Sequence, residues 1–414
     1  MPYFGRYLTN RGREMLHVYK YKGSDDSILL NYVTNPIYQR LVLLFPTWLA
    51  PNIITLCGVS FTILGHIMTY SHCPSLNGHI PAWLCFYNGF AIIMAQCLDA
   101  LDGKQARRTG SGSPLGLLMD HGCDAINTTT MALTGAAAIQ LGPSSMAMLL
   151  WIVHGVGFFA ATWEEYYVGE LHLGYINGPN EGLMSAALLH ILTGFVGTDF
   201  WIQESMFGIP RGHVVVYLLL LAGVLTMISN FYYVITRIRK DRHRDPTAQS
   251  DAELESSSVK VAISRFLPLL TVISGFVLWV TYSPSDILAR HPRVLLWTLG
   301  LVMSKQVTQI MLSHLCDEEH HPMSKTMAAL FVIVAHAVAA VYMEVTSQSS
   351  DKLLSWHEDL ILLEAFVLML GSYTHMVFSV VQEVAETLGI YVFTITRKRT
   401  PLTSKRRKIK VESK

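Results

Sequence analysis

Ten times along the chain, a stretch of about twenty residues passes with few charges, the length an α-helix needs to cross the hydrocarbon core of a bilayer. The runs fall near 52–70, 81–101, 115–140, 146–168, 181–199, 212–236, 262–282, 294–313, 326–346 and 359–390. Inside a bilayer each backbone N–H and C=O must be paired within the protein, so runs of this kind can only become helices. Composition agrees: 15% of residues are charged, where a soluble chain carries roughly 25%, and the mean hydropathy is +0.35. The expected fold class is an all-α integral membrane protein of about ten transmembrane helices with an N-terminal interfacial helix.

The charges that remain are unevenly placed. With ten spans, both termini share one side. Segments on that side carry 25 of the Lys and Arg residues, loops on the other side carry 4, and Arg265 and Lys305 fall inside spans. The positive-inside rule puts both termini in the cytosol. Residues 1–48 read as a cytosolic leader, in which 24–45 is an interfacial helix interrupted by Pro36. Residues 49–236 read as a catalytic six-helix unit, 237–261 as a polar cytosolic linker, 262–390 as a four-helix unit and 391–414 as a basic cytosolic tail. The tail resembles a nuclear-localisation run, but its place beside an anionic leaflet accounts for it, and no nucleic-acid partner is expected. The six cysteines have no CxxC spacing, so neither a disulfide framework nor a zinc site is expected. The start lacks the apolar run of a signal peptide.

The chemistry concentrates in 99–124, DALDGKQARRTGSGSPLGLLMDHGCD. Asp99 and Asp102 end the second run three residues apart, and Asp120 and Asp124 lie four apart in the third. Both spacings put a pair on one helical face, so two neighbouring helices could aim four carboxylates into one space. A carboxylate at that depth costs several kcal/mol unless paired or solvated, and four would repel one another. Two divalent cations would neutralise them, and oxygen ligands suit magnesium or manganese. Paired metals are a common device for displacement at phosphorus. Gly103 leaves room for a phosphate at the backbone, while Lys104, Arg107 and Arg108 supply positive charge. Gly116 lets the third span approach the second. Intramembrane ion pairs, or a cation pathway, would also put acids here.

Asp99, Asp102, Gly103, Ala106, Arg107, Gly116, Asp120 and Asp124 match, at every fixed position, the signature D-x2-D-G-x2-A-R-x8-G-x3-D-x3-D of the CDP-alcohol phosphotransferases. With APNIITLCG at 50–58 and the ten-run layout, the chain resembles the choline/ethanolamine phosphotransferase branch of that family, strongly over about 45–240. The resemblance implies transfer of phosphocholine or phosphoethanolamine from CDP-choline or CDP-ethanolamine to diacylglycerol, with release of CMP. It implies two Mg²⁺ or Mn²⁺ ions held by Asp99, Asp102, Asp120 and Asp124, and nucleotide contacts from Asn52 and Arg107. It also implies an endoplasmic reticulum or Golgi membrane. A homodimer through the last four spans is a further expectation.

The attacking hydroxyl must lose a proton. Asp124 is one candidate base, but a metal ligand is a weak one. His121 is preferred, since an imidazole's ordinary pKa of about 6.5 lies near operating pH. Glu181 is a candidate assistant, although an acid at a helix start needs no such role. Trp163 and Tyr166, in TWEEYYVG, are head-group candidates through their ring faces, with Glu164 and Glu165 to balance charge; an interfacial aromatic belt would look the same. HLCDEEHH at 314–321 has irregular spacing and reads as a solvated loop rather than a ligand cluster. The alternatives to the transferase are a relative with a CDP-diacylglycerol donor, a cation transporter, or an inactive structural relative. The transporter gives no reason for the Gly103–Arg108 segment.

Overall fold

A computed structural model describes residues 6–244, 258–347 and 353–395. The middle of the expected linker and the basic tail beyond 395 lie outside the described residues. The helices are α1 (Asn10–Val18), α2 (Asn35–Leu41), α3 (Pro51–His72), α4 (Ala82–Thr109), α5 (Pro114–Ala138), α6 (Ser145–Val168), α7 (Leu183–Val196) and α8 (Arg211–Arg244). They continue as α9 (Val259–Tyr282), α10 (Ile287–Arg290), α11 (Pro292–Cys316), α12 (Lys325–Ser347) and α13 (Leu353–Leu388). Every expected apolar run falls on a helix. Among the described residues, seven helices are long and apolar enough to cross a membrane: α3, α4, α6, α8, α9, α11 and α13. The protein is a multi-pass, almost wholly helical membrane protein. The other three runs fall short for different reasons. Helix α5 carries its acids in its first half, α7 has 14 residues, and the apolar part of α12 is described over Lys325–Ala339.

Local chemistry sets the helix ends. Pro51, Pro114 and Pro292 open α3, α5 and α11 at the first helical position, where no N–H is needed. The Ser113 hydroxyl caps α5 by accepting from Gly116 N at 3.2 Å. Gly110, at φ 64°, ends α4 in the left-handed conformation. The signature helices α4 and α5 are therefore joined by a turn of only four residues, 110–113, and must run antiparallel.

The packing crosses the boundary expected between a six-helix and a four-helix unit. Helix α11 is the most deeply buried of the seven spans, and it packs against α5 and α6 as well as α13. The linker separates the two halves in sequence but not in space. Arg265 and Lys305, the two basic residues expected inside the apolar runs, are both buried and bonded, Arg265 to Glu319 and Lys305 to Ser372. All six cysteines are free.

Two features were not legible in the sequence. Residues 10–18 form α1, and Gly23–Asp25 (β1) pairs in parallel with Leu171–Leu173 (β2), with Gly23 opposite Leu171 and Asp25 opposite Leu173. This strap ties the leader to the loop after α6. The expected interfacial segment is helical over 30–44, in π, α and 3-10 turns, and exposes Tyr32, Val33, Ile37, Leu43 and Leu44. Such a row of exposed apolar side chains suits a membrane surface.

Candidate active site

Asp99 sits in the second half of α4, and Asp120 and Asp124 in the first half of α5. Asp124 lies ten residues past the start of α5, roughly 15 Å along its axis at 1.5 Å per residue. One carboxylate oxygen from each of Asp99, Asp120 and Asp124 lies within 4.8 Å of the others. Among the described residues, no other set of three acids, His or Cys is close enough to hold a metal ion. Asp120 Oδ1 is buried and has no hydrogen-bond partner. Three carboxylates with oxygens this close, one of them an orphaned buried oxygen, form a site that an oxygen-loving divalent cation fits. Asp102, expected as the fourth ligand, lies outside the trio and accepts from the Thr55 hydroxyl. Thr55 belongs to the PNxxT element that opens α3, and that element was the signal that would have found it.

His121 is one residue past Asp120. Its Nδ1 lies 3.2 Å from the Leu117 carbonyl and its Nε2 2.9 Å from Glu165 Oε2, on α6. Both ring nitrogens face acceptors, so this is the geometry of an imidazolium held by a carboxylate. The Glu165 side chain is 1% exposed, and its Oε1 has no partner. Sequence reasoning placed Glu165 only as charge balance; its pairing with a histidine 44 positions earlier needed the packing of α5 on α6.

The basic residues divide. Arg107 is exposed, makes no hydrogen bond or ion pair among the described residues, and lies beside Gly103, where an added Cβ would sit 3.6 Å from its guanidinium. The Arg107 guanidinium thus lies over the Gly103 backbone at ordinary contact distance. Lys104 donates to Asn35 Oδ1 at 2.5 Å. Arg108 turns the other way and donates to the carbonyls of Val42 and Phe45 at 2.8 and 2.7 Å. It caps the end of the interfacial helix rather than facing a phosphate, sharing the Val42 carbonyl with Phe45 N, which donates to it at 3.3 Å. The Ala106 carbonyl takes Ser111 N at 3.0 Å and closes α4. Gly116 faces α3, not α4: a Cβ there would lie 3.6 Å from Asn52 Oδ1, while the Asn52 amide donates to the Val392 carbonyl at 2.8 Å.

Three expected sites are corrected. Glu181 has both oxygens engaged, by the Ser27 hydroxyl at 2.7 Å, Leu29 N at 3.0 Å and Asn177 N at 2.9 Å. It anchors the strap. Trp163 is 0% exposed, packs among Phe231, Phe266 and Tyr167, and donates to the Ala262 carbonyl at 3.2 Å. Tyr166 donates to the Glu318 carbonyl and accepts from His320 N, both at 3.0 Å. Trp163 offers no free face to a head group, and Tyr166 is half-buried with its hydroxyl engaged on both sides. The 314–321 stretch forms no ligand cluster among the described residues, and Asp317, Glu319 and His321 are exposed, as expected of a solvated loop, but part of it is tied down. Arg265 pairs with Glu319, Thr9 with Glu318, and His320 is buried. The loop knits α1, α6, α9 and α11 together, and burial pushes the His320 imidazole down to about 3, so it stays neutral.

The strap anchor gives a test. Glu181→Ala leaves three donors without their acceptor, each worth about 1–3 kcal/mol when buried. The expected result is a lower melting temperature in detergent and faster tryptic cleavage after Lys22, with turnover reduced far less than by loss of His121. Turnover as low as that of a His121 variant would restore Glu181 to catalysis.

Comparison with known proteins adds to this geometry. The family model described as CDP-alcohol phosphatidyltransferase matches residues 48–173. The chain is similar to choline/ethanolaminephosphotransferase 2 of Arabidopsis thaliana, 33% identical over 395 residues, covering 95% of this chain and 99% of the relative. It is similar to choline/ethanolaminephosphotransferase 1 of Saccharomyces cerevisiae, 29% identical, with 95% and 99% covered. It is also similar to ethanolaminephosphotransferase 1 of Mus musculus, 26% identical, with 92% of each chain covered.

Proposed function

The chain belongs to the CDP-alcohol phosphatidyltransferase family, and from that premise we propose that it transfers phosphocholine or phosphoethanolamine from CDP-choline or CDP-ethanolamine to the free hydroxyl of diacylglycerol, giving the phospholipid and CMP. The observation that carries the chemistry is the convergence of Asp99, Asp120 and Asp124 beside the His121–Glu165 pair.

Asp99, Asp120 and Asp124, with Asp102 oriented by Thr55, would hold two Mg²⁺ or Mn²⁺ ions. When bound, such ions supply positive charge against the carboxylates, the diphosphate and departing CMP. The protein's own groups do the rest. Arg107, free over the backbone of Gly103, takes the diphosphate oxygens, and Lys104 adds charge from the next residue. His121 receives the proton of the lipid hydroxyl at Nε2 as the oxygen attacks the β-phosphorus. The Glu165 carboxylate then stabilises the imidazolium; the 2.9 Å contact is the arrangement after transfer. Before transfer a small turn of the ring frees Nε2 for the hydroxyl. Depth serves the acceptor. The acids lie about three turns inside α5, where a lipid hydroxyl can reach without leaving the bilayer.

We read the signature end of the bundle as cytosolic, the membrane as endoplasmic reticulum or Golgi, and ten helices as the spanning set. A homodimer remains part of this reading, although α11 and α13 already have a place against α5. The test is CMP release by the purified full chain in detergent with diacylglycerol and Mg²⁺, with each donor in turn. Release that requires both lipid and metal is expected. Release from CDP-diacylglycerol alone would move the protein to another branch of the family.

A further inference from the structure

The interfacial segment is bonded to the signature helix, not merely laid beside it. Gln105, fully buried on α4, donates through Nε2 to the carbonyls of Pro46 and Leu49 at 2.9 and 3.1 Å. Arg108 holds the carbonyls of Val42 and Phe45, and Lys104 holds Asn35. The inner side of the segment, at Tyr38 and Val42, is buried with Ile54 of α3 and with Leu98 and Leu101 of α4. Leu98 and Leu101 directly precede Asp99 and Asp102 in the chain. The same turns of α4 therefore aim Asp99 at the acids of α5 and Gln105 and Arg108 at the segment. Moving the segment strips partners from the stretch of α4 that carries Asp99 and Asp102.

The outer side is apolar and uncovered by protein. Tyr32 is 81% exposed, Leu44 77% and Trp48 73%, and Val33, Ile37 and Leu43 are exposed too. What covers it follows from the chain. Trp48 stands three residues before Pro51, where α3 begins, and α3 is long and apolar enough to span, with Leu56, Ile63, Leu64 and Ile67 exposed along it. The segment thus leads straight into a lipid-facing helix at the point where that helix enters the bilayer, and a leaflet surface covers its outer side. Charge decides which property of the leaflet matters. Residues 30–49 carry a single charge, Arg40. Such a segment gains little from anionic headgroups. It binds by burying bulky apolar side chains, which requires gaps between headgroups. Lipids with small headgroups open those gaps, and diacylglycerol, whose headgroup is a bare hydroxyl, is the extreme case.

Resting on the transferase reading, we propose that residues 30–48 sense headgroup packing in the leaflet and set the rate of the site through Gln105 and Arg108, so that a membrane rich in the acceptor switches the enzyme on. Seated, the segment holds the last turns of α4 in place. Unseated, its carbonyls leave Gln105 and Arg108, and the turn that carries Asp102 loosens. The leaflet shifts the population between the two states. Gln105 and Arg108 are positioning residues, because they act through α4 and not on the substrate.

The experiment measures CMP release by the full chain in phosphatidylcholine vesicles with a fixed small fraction of diacylglycerol. Replacing part of the phosphatidylcholine by dioleoylphosphatidylethanolamine opens gaps without adding acceptor, and should raise the wild-type rate about three- to fivefold, as a modest shift between two populated states does. The same fraction of phosphatidylserine adds charge instead, and should change the rate less than about twofold. The double variant Leu43→Ser, Leu44→Ser alters two exposed side chains, so it should fold and turn over normally in detergent, yet lose the rise in vesicles. Gln105→Met keeps the side-chain length and removes the donor. It should also lose the rise, while the fluorescence that Trp48 contributes (the difference made by Trp48→Phe) is still quenched by brominated phosphatidylcholine. A wild type that ignores phosphatidylethanolamine or responds as much to phosphatidylserine, or an undiminished rise in either variant, overturns the proposal and leaves the transferase standing. No CMP release in detergent from either donor fails the transferase reading, and the rate control falls with it. Quenching of Trp48 that does not grow with phosphatidylethanolamine content overturns the sensing on its own.

Discussion

Asp120→Asn should cut CMP release by about 10³-fold while leaving the protein folded, the scale expected for losing one preorganised electrostatic group. The substitution keeps the size and shape of the side chain while removing its charge and turning one acceptor oxygen into a donor. Asp120 is the member of the trio whose Oδ1 is buried without a partner, so nothing else in the protein compensates for its loss. The stability effect should have the opposite sign. With divalent ions chelated, the wild type holds three close carboxylates that repel one another in a poorly solvated space, and removing one charge relieves that repulsion. The variant should therefore melt at a higher temperature than the wild type in chelator. It should also lose the rise in melting temperature that Mg²⁺ gives the wild type. CMP assays and thermal unfolding with and without Mg²⁺ check both halves. Retention of more than a tenth of the wild-type rate would remove Asp120 from the centre of the mechanism.

His121→Ala should lower kcat by about 10²- to 10⁴-fold, the usual worth of a general base, with KM for the CDP-alcohol little changed. Unlike Asp120→Asn, it should leave the thermal response to Mg²⁺ intact, because His121 bonds Glu165 and Leu117 and is not one of the trio. Glu165→Gln should fall between wild type and His121→Ala. An amide there still orients the ring but cannot stabilise the imidazolium. The double variant should be no worse than His121→Ala alone, as for two residues acting as one unit. A His121→Ala rate within tenfold of wild type would return the base role to Asp124.

The sequence and the structure divide the account unevenly. The spacing of Asp99, Asp120 and Asp124 follows from helical geometry, and the structure brings those three together. The same reasoning counted Asp102 as an equal member, but the position of Thr55 on α3 draws it aside. Arg108 looked equivalent to Arg107 because charge is legible in a sequence and direction is not. Consecutive helical residues point about 100° apart, and one lies over Gly103 while the other meets the carbonyls of Val42 and Phe45. Trp163 and Tyr166 failed as head-group residues for a related reason. An aromatic run at a helix end reads the same whether its faces are free or packed.

What the sequence determined by itself was the class of fold, through apolar runs that can only be helices in a membrane, and the chemical centre, through a motif compressed into two helices joined by a short turn. Both are local properties, fixed by residues within about two dozen positions of one another. The tertiary structure alone decided the partners across long separations. These are Glu165 for His121, Thr55 for Asp102, the strap at 23–25 against 171–173, and the burial of α11 within the helices that carry the site. Those pairings depend on which helix faces which, and helix periodicity is blind to that. Any face apolar enough to bury looks the same until its neighbour is in place.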